Sequence, residues 1–166
     1  KGIAVLRYDD RGVGKSTGNF SNSSTEDFAN DVRSAIEYLK TRPEINTKEI
    51  GLIGHSEGGM IAPMVAADNK DVKFIVLMAG PGTQIDELLV EQSTRYSELQ
   101  GINKETISIN TKIQKDTYAF IKSYNANDFK NDFTTFLKAE MSKLPDSAKP
   151  QTEEELNESV QNQVDA

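Results

Sequence analysis

Residues 1–83 alternate short runs of β-branched and other apolar residues with segments of helical periodicity. This alternation is typical of parallel strands joined by crossover helices. Three strands are predicted, at 3–8, 49–54 and 72–78, and their near-continuous apolar character favours strands that are covered on both faces. The sequence therefore predicts an α/β fold with a parallel sheet and flanking helices.

Two helices are predicted between these strands. The first has Thr25 as its N-cap, carries Glu26 and Asp27 at the positive end of the helix dipole, and ends before Pro43. The second begins at Glu57. The apolar residues of the first helix recur at helical spacing, which predicts a stripe that packs on the sheet. Its members are Phe28, Val32, Ala35, Ile36 and Leu39.

A second kind of segment follows, in which strand patterns disappear and polar helical patterns dominate. Helices are predicted at about 84–100, 104–124, 127–143 and 152–164. The sequence thus predicts two parts, a partial α/β core over 1–83 and an all-helical segment over 84–166. A solvated appendage and a lid over a substrate site are the two interpretations of the helical part.

Composition excludes several classes of function. The chain has 19 Lys and Arg against 26 Asp and Glu, a net charge of −7, whereas nucleic-acid binding requires a basic face. It has no Cys and one His, which excludes thiolate sites, a cysteine nucleophile and a His-cluster metal site. Its apolar runs fall short of the roughly 20 residues that span a bilayer. We therefore expect no nucleic acid, no membrane span and no metal or organic cofactor.

The most specific motif is Gly-His-Ser-Glu-Gly-Gly at 54–59, which fits G-x-S-x-G between an apolar strand and an amphipathic helix. A serine at such a position lies on a sharp turn with strained backbone, which lifts its hydroxyl above the sheet. Gly54 and Gly58 are expected to avoid steric collision at the bend. The backbone N–H of Glu57 and the helix N-terminus are expected to stabilise an oxyanion next to Ser56, and Gly59 is expected to have a structural role near the site.

With these residues the chain resembles the serine hydrolases of the α/β-hydrolase fold, particularly bacterial esterase-like and lipase-like members with a helical lid. A second motif, Asp-Asp-Arg-Gly-Val-Gly-Lys-Ser at 9–16, resembles the D-x-R-G-x-G-x-S turn of that family, with Asp9, Arg11 and Gly12 beside the active site. The resemblance covers 1–83 and implies that Ser56 attacks a small acyl ester and forms an acyl-serine intermediate that water hydrolyses.

The resemblance also implies that the chain is the central fragment of a larger enzyme. In this fold the triad order is serine, acid, histidine, so the base is expected beyond Ala166 and the fragment alone is expected to be nearly inactive. His55 is the only histidine, and adjacent strand residues point to opposite faces, so we expect it to pack or hydrogen-bond beneath the turn rather than to act as the base. Asp86 lies near the position where some relatives keep the acid.

The turn at 9–16 has an alternative interpretation, because Gly14, Lys15 and Ser16 also end a P-loop. Asp9 stands where that motif needs its first glycine, and its carboxylate would face phosphate oxygens. We therefore favour a structural role in which Asp9 and Arg11 pair and organise the loop.

Three further questions stay open from the sequence. A peptidase of the same fold and a non-catalytic α/β-hydrolase-like binding module are alternatives to an esterase. The resemblance also implies that a strand normally lies between those at 3–8 and 49–54, so the chain has unpaired strand edges. We expect it to close that gap directly or to pair with a second copy as a homodimer.

Overall fold

The computed structural model describes residues 2–146 and 149–164. Lys1 of the predicted core and 147–148 and 165–166 of the predicted helical segment lie outside the described residues. The chain forms two compact units, Lys1–Gly82 and Thr83–Ala166.

Among the described residues, the first unit contains two helices and two strands, and the second contains four helices. In chain order the elements are α1 (Thr25–Lys40), β1 (Ile50–His55), α2 (Gly58–Asp68), β2 (Val72–Met78), α3 (Ile85–Leu99), α4 (Lys104–Ser123), α5 (Phe129–Ser142) and α6 (Glu153–Val164). The predicted helices and the predicted strand at 72–78 are thereby confirmed, with ends that shift by one or two residues where helices fray.

The sheet of the first unit is parallel, as predicted. β1 pairs with β2 in a register that runs from Gly51 opposite Phe74 to His55 opposite Met78, with an irregularity at Ile50. The crossover is α2, which contacts both strands. A β–α–β unit of this kind places the start of its helix beside the carboxyl ends of the strands.

The predicted first strand is wrong. Residues 2–10 have no regular secondary structure, and Ile3 and Val5 are 86% and 71% exposed. A β-branched run forms a strand only where a neighbouring strand accepts and donates its backbone hydrogen bonds, and none of the described residues pairs with this segment. The expected closure of the gap is therefore also wrong, while pairing with a second copy stays a prediction.

The core of the first unit lies on one face of the sheet. Its buried residues are Ala29, Ile36, Ile50, Ile61 and Val65, with Phe28, Val32, Leu39, Leu52, Met64 and Val72 packed against them. The predicted stripe of α1 is thus confirmed as a packing face. The other face is open, with Ile53 67% and Phe74 55% exposed. The expectation that both faces are covered is wrong for the described residues, because both helices pack on the same side.

The N-cap of α1 is Ser24 and not Thr25. The Ser24 hydroxyl accepts from the backbone N–H of Asp27 at 3.3 Å, and the Ser24 backbone N–H donates to the Asp27 carboxylate at 2.9 Å. This reciprocal capping box satisfies two groups that a helix start leaves unpaired. It leaves the hydroxyl of Thr25 available for another partner.

The second unit contains two pairs of contacting helices, α3 with α4 and α5 with α6. α3 contacts α4 through polar side chains, with the Thr94 and Thr111 hydroxyls 3.0 Å apart and the Gln114 amide donating to Ser93 at 3.1 Å. α5 and α6 enclose a core of Phe133, Leu137, Met141 and Val160. None of the helices in the described part of the chain is both long enough and apolar enough to cross a membrane.

Candidate active site

Ser56 lies on a tight turn between β1 and α2. Its backbone has φ 54°, in the left-handed region that L-residues other than glycine rarely adopt. Two hydrogen bonds hold it there: its N–H donates to the carbonyl of Met78 at 3.0 Å, and the N–H of Gly59 donates to its carbonyl at 2.8 Å. Its side chain is exposed, and the hydroxyl has no hydrogen-bond partner among the described residues. The turn therefore presents an unpaired hydroxyl at the end of the parallel sheet.

The glycines of the turn have different roles. A Cβ on Gly54 would collide with the carbonyl oxygen of Gly58, and a Cβ on Gly59 would collide with the backbone of Gly80. A Cβ on Gly58 would meet nothing within 4 Å. The expectation that both motif glycines avoid a collision is therefore right for Gly54 and wrong for Gly58, because the crowded positions are those between the strand end and the first turn of α2.

The turn also presents backbone donors. The N–H groups of Glu57 and Gly58 have no acceptor within the described part of the chain, whereas the next two amides bond to carbonyls of Ser56 and Glu57. Unpaired amides at a helix start carry the positive end of its dipole. The turn can therefore stabilise a developing negative charge beside the Ser56 hydroxyl.

The side chain of Glu57 is held from α1. Its carboxylate accepts a hydrogen bond from the Thr25 hydroxyl at 2.7 Å, across 32 residues of sequence. No side chain of the described residues caps the start of α2. The carboxylate next to Ser56 is thus directed to α1 and leaves the two unpaired amides open.

His55 lies on the open face of the sheet. It alternates with Leu52 and Gly54, which face the helices, and its side chain is exposed. Its imidazole makes no hydrogen bond to Ser56 or to any other described residue. The expected packing beneath the turn is therefore wrong, because no layer of described side chains covers that face. The expectation that the imidazole does not bind the Ser56 hydroxyl holds, since no hydrogen bond joins the two groups.

Asp9 organises its own loop. Its carboxylate accepts from the backbone N–H of Lys15 at 3.1 Å, its carbonyl accepts from the Ser16 hydroxyl at 2.7 Å, and it fills the space beside Gly14. The predicted pairing of Asp9 with Arg11 is wrong. A P-loop is also excluded for this turn, because the side chain of Asp9 already occupies an amide that phosphate binding would need.

Arg11 binds α1 instead. Its guanidinium donates to both carboxylate oxygens of Asp31 at 2.7 Å and to the carbonyl of Asp27 at 2.9 Å, and it lies 3.4 Å from the Asp27 carboxylate. Hydrogen bonding to Asp31 raises the pKa of Arg11. Gly12 follows with φ 74°, and a Cβ there would lie 2.7 Å from the backbone nitrogen of Phe20. This loop therefore fixes the N-terminal half of α1.

Two acids have cationic partners that sequence patterns did not predict, and the expectation that Asp86 lies near the family's acid stays untested. Asp86 is ion-paired with Lys122 at 2.7 Å, and this hydrogen bond lowers the pKa of its carboxyl group. Asp31 was missed, although it lies four residues after Asp27, a spacing that places both carboxylates on one helical face. Thr25 was missed as the partner of Glu57, and no sequence pattern reveals that contact. No described cluster of three His, Cys, Asp or Glu could hold a metal ion.

Comparisons with known proteins place this chain in a family. The family model described as serine aminopeptidase, S33, matches residues 1–142. Esterase EstD of Thermotoga maritima is 27% identical over 118 residues, which is 69% of this chain and 28% of that protein. Thiohydrolase apmlB of Arthrinium phaeospermum is 38% identical over 76 residues, 45% of this chain and 25% of that protein.

A third relative is polyketide transferase grgF of Penicillium sp, which is 34% identical over 79 residues, 47% of this chain and 27% of that protein. The chain thus spans between 25% and 28% of the length of these relatives. No solved structure matches it. Since the family model covers most of its residues, the chain belongs to the S33 serine aminopeptidase family of the α/β-hydrolase fold.

Proposed function

We propose that the complete protein hydrolyses carboxylic esters, with Ser56 as the nucleophile of a nucleophile elbow. The observation that carries this proposal is the exposed Ser56 hydroxyl at φ 54° between a parallel strand and the start of a helix. The family match and the esterase relative support a hydrolase of this fold. Strain of this kind persists where the surrounding structure holds it, and it is concentrated at functional sites.

The proposed reaction is acyl transfer to water in two steps. The Ser56 oxygen attacks the ester carbonyl carbon while a base takes the hydroxyl proton, and the tetrahedral intermediate expels the alcohol, which receives that proton. Water then attacks the acyl-serine in the same manner and releases the acid. Since the imidazole of His55 makes no hydrogen bond to the Ser56 hydroxyl, we propose that the base is another histidine of the complete protein.

The turn itself would stabilise the tetrahedral intermediate. The unpaired N–H of Glu57 follows the nucleophile directly, which is where this fold takes one of its oxyanion donors. Removal of one such donor costs about 10²–10³ in kcat. The helix dipole of α2 adds positive potential at the same place.

We further propose that the second unit, α3 to α6, serves as a substrate lid. Its support is an all-helical make-up with large apolar side chains at the surface, among them Tyr96, Leu99 and Phe129. Such side chains would bind the apolar part of an acyl substrate. Replacement of Leu99 by Asp would then raise KM more for long-chain than for short-chain esters, and an equal effect on both would contradict the lid.

A peptidase of the same fold is the second candidate, and the aminopeptidase description of the family favours it. The two candidates share the nucleophile and differ in the leaving group. Parallel assays of the complete protein on p-nitrophenyl esters and on aminoacyl p-nitroanilides distinguish them. A non-catalytic binding module would hydrolyse neither and would not react with a fluorophosphonate.

The decisive experiment compares Ser56→Ala with the complete wild-type protein. Loss of the nucleophile in serine hydrolases costs on the order of 10⁶ in kcat, so hydrolysis and fluorophosphonate labelling should both fall to background. Ser34→Ala is the matched control, since its hydroxyl only donates to the carbonyl of Asn30 within α1. Unchanged turnover in Ser56→Ala would remove Ser56 from its proposed role.

A further inference from the structure

The contact between Thr25 and Glu57 joins the start of α1 to the turn that carries Ser56. We propose that Thr25 is a positioning residue that keeps the carboxylate of Glu57 away from the unpaired amides at the start of α2. This inference rests on the proposed function, because it assigns those amides to the oxyanion of the substrate.

The carboxylate of Glu57 would compete with the substrate oxyanion for the unpaired amides at the start of α2. Negative side chains are stabilised near a helix N-terminus, both by the dipole and by hydrogen bonds from its unpaired amides. The N–H groups of Glu57 and Gly58 are unpaired in the described residues, and the carboxylate is tethered beside them. If it bound there, it would block the donors and place a full negative charge next to the developing oxyanion.

The structure holds the carboxylate in a different direction. The Thr25 hydroxyl donates to it at 2.7 Å, and α2 has no side-chain cap within the part of the chain that the structure describes. A hydrogen bond to a carboxylate is roughly twice as strong as one between neutral groups. Thr25 is half-buried, whereas Glu57 is exposed, so the donor is the better fixed of the two partners.

The backbone around Thr25 is itself anchored. Ser24 and Asp27 form the capping box that sets the start of α1, and Arg11 binds both the carbonyl of Asp27 and the carboxylate of Asp31. The loop at 9–16 therefore fixes the helix end from which Thr25 reaches Glu57. The loop at 9–16 is thereby linked to the turn at Ser56 through α1 and the hydrogen bond from Thr25 to Glu57.

The test is a double-mutant cycle in the complete protein, measured as kcat and KM on a p-nitrophenyl ester. Thr25→Val should lower kcat about tenfold, a part of the ~10²–10³ that an oxyanion donor supplies, with KM little changed. Thr25→Ser keeps the hydroxyl and should retain most of the rate. Thr41→Val is the matched control, because its hydroxyl donates to the carbonyl of Tyr38 at the other end of α1.

The cycle is closed with Glu57→Ala. Whatever that substitution does alone, Thr25→Val should cost no further kcat in its background, because the competing carboxylate is absent. An undiminished tenfold loss in the Glu57→Ala background, or no loss in Thr25→Val, would overturn the inference. Ser56→Ala separates this from the proposed function: if it abolishes turnover while Thr25→Val has no effect, only the role of Thr25 fails.

Discussion

The carbonyl oxygen of Gly58 lies in the space that a Cβ on Gly54 would occupy, whereas a Cβ on Gly58 would point into open space. Gly54→Ala should therefore force the strand end and the helix start apart. We expect the free energy of unfolding to fall by about 1–3 kcal/mol, the usual cost of overpacking. Gly58→Ala has the same change in composition without the collision. Urea denaturation of both variants, followed by circular dichroism, measures the difference, and equal losses would contradict the steric reason.

Replacement of Ser56 by glycine should stabilise the fold relative to replacement by alanine. Alanine keeps the Cβ that makes φ 54° unfavourable, whereas glycine removes it. We expect Ser56→Gly to be more stable than Ser56→Ala by about 1 kcal/mol, since a left-handed residue other than glycine costs roughly that amount. The denaturation midpoints of the two variants measure this difference in stability, and equal midpoints would contradict the prediction.

Ala79 provides an independent check of that strain. Its φ of 50° lies in the same region, directly after Met78, whose carbonyl accepts the hydrogen bond from the N–H of Ser56. Ala79→Gly should therefore be more stable than the wild type, for the same reason that Ser56→Gly should be more stable than Ser56→Ala. If neither glycine variant gains stability, then the left-handed backbone at this end of the sheet is not strained.

Local patterns predicted the parts of this chain that depend on neighbours in sequence. The helices from α3 to α6, the strand at 72–78 and the turn at Ser56 follow from periodicity, caps and the spacing of glycines. The segment at 3–8 has the same apolar texture and forms no strand, since a strand needs a partner in space. Sequence patterns do not show whether that partner is present.

The polar partners near the site were harder to predict for a related reason. Asp9 and Arg11 carry opposite charges and are two residues apart, so the sequence predicts an ion pair between them. Instead Asp9 satisfies an amide of its own loop and Arg11 reaches the carboxylate of Asp31, where its planar guanidinium makes two parallel hydrogen bonds. The geometry of the tertiary contact outweighs proximity along the chain.

The two parallel hydrogen bonds from Arg11 to Asp31 lead to a prediction about a substitution that conserves charge. Lysine cannot donate to both oxygens of Asp31 and to the carbonyl of Asp27 in one plane. Arg11→Lys should therefore lower Tm by a few degrees. Arg42→Lys is the control, because the exposed Arg42 pairs with its exposed neighbour Glu44 and lies 5.8 Å from the centre of the Tyr38 ring, without a bidentate carboxylate contact. Its Tm should stay unchanged. A similar Tm for both variants would show that the bidentate hydrogen bonds of Arg11 contribute no stability beyond that of its charge.

The capping box predicts how stability responds to acid. Hydrogen bonds from the backbone N–H and then the hydroxyl of Ser24, followed by the charge of Arg11, hold the pKa of Asp27 below its ordinary value of 3.8. Because the folded pKa is lower than the unfolded one, the ionised carboxyl stabilises the fold above about pH 4 and this stabilisation is lost as pH falls through the folded pKa. Asp27→Asn lacks this titration. Its deficit in free energy of unfolding relative to wild type should be constant from pH 7 to about pH 5 and should shrink towards pH 3. Urea denaturation across that range measures the deficit, and a deficit that stays the same at pH 3 would show that the Asp27 charge does not stabilise α1.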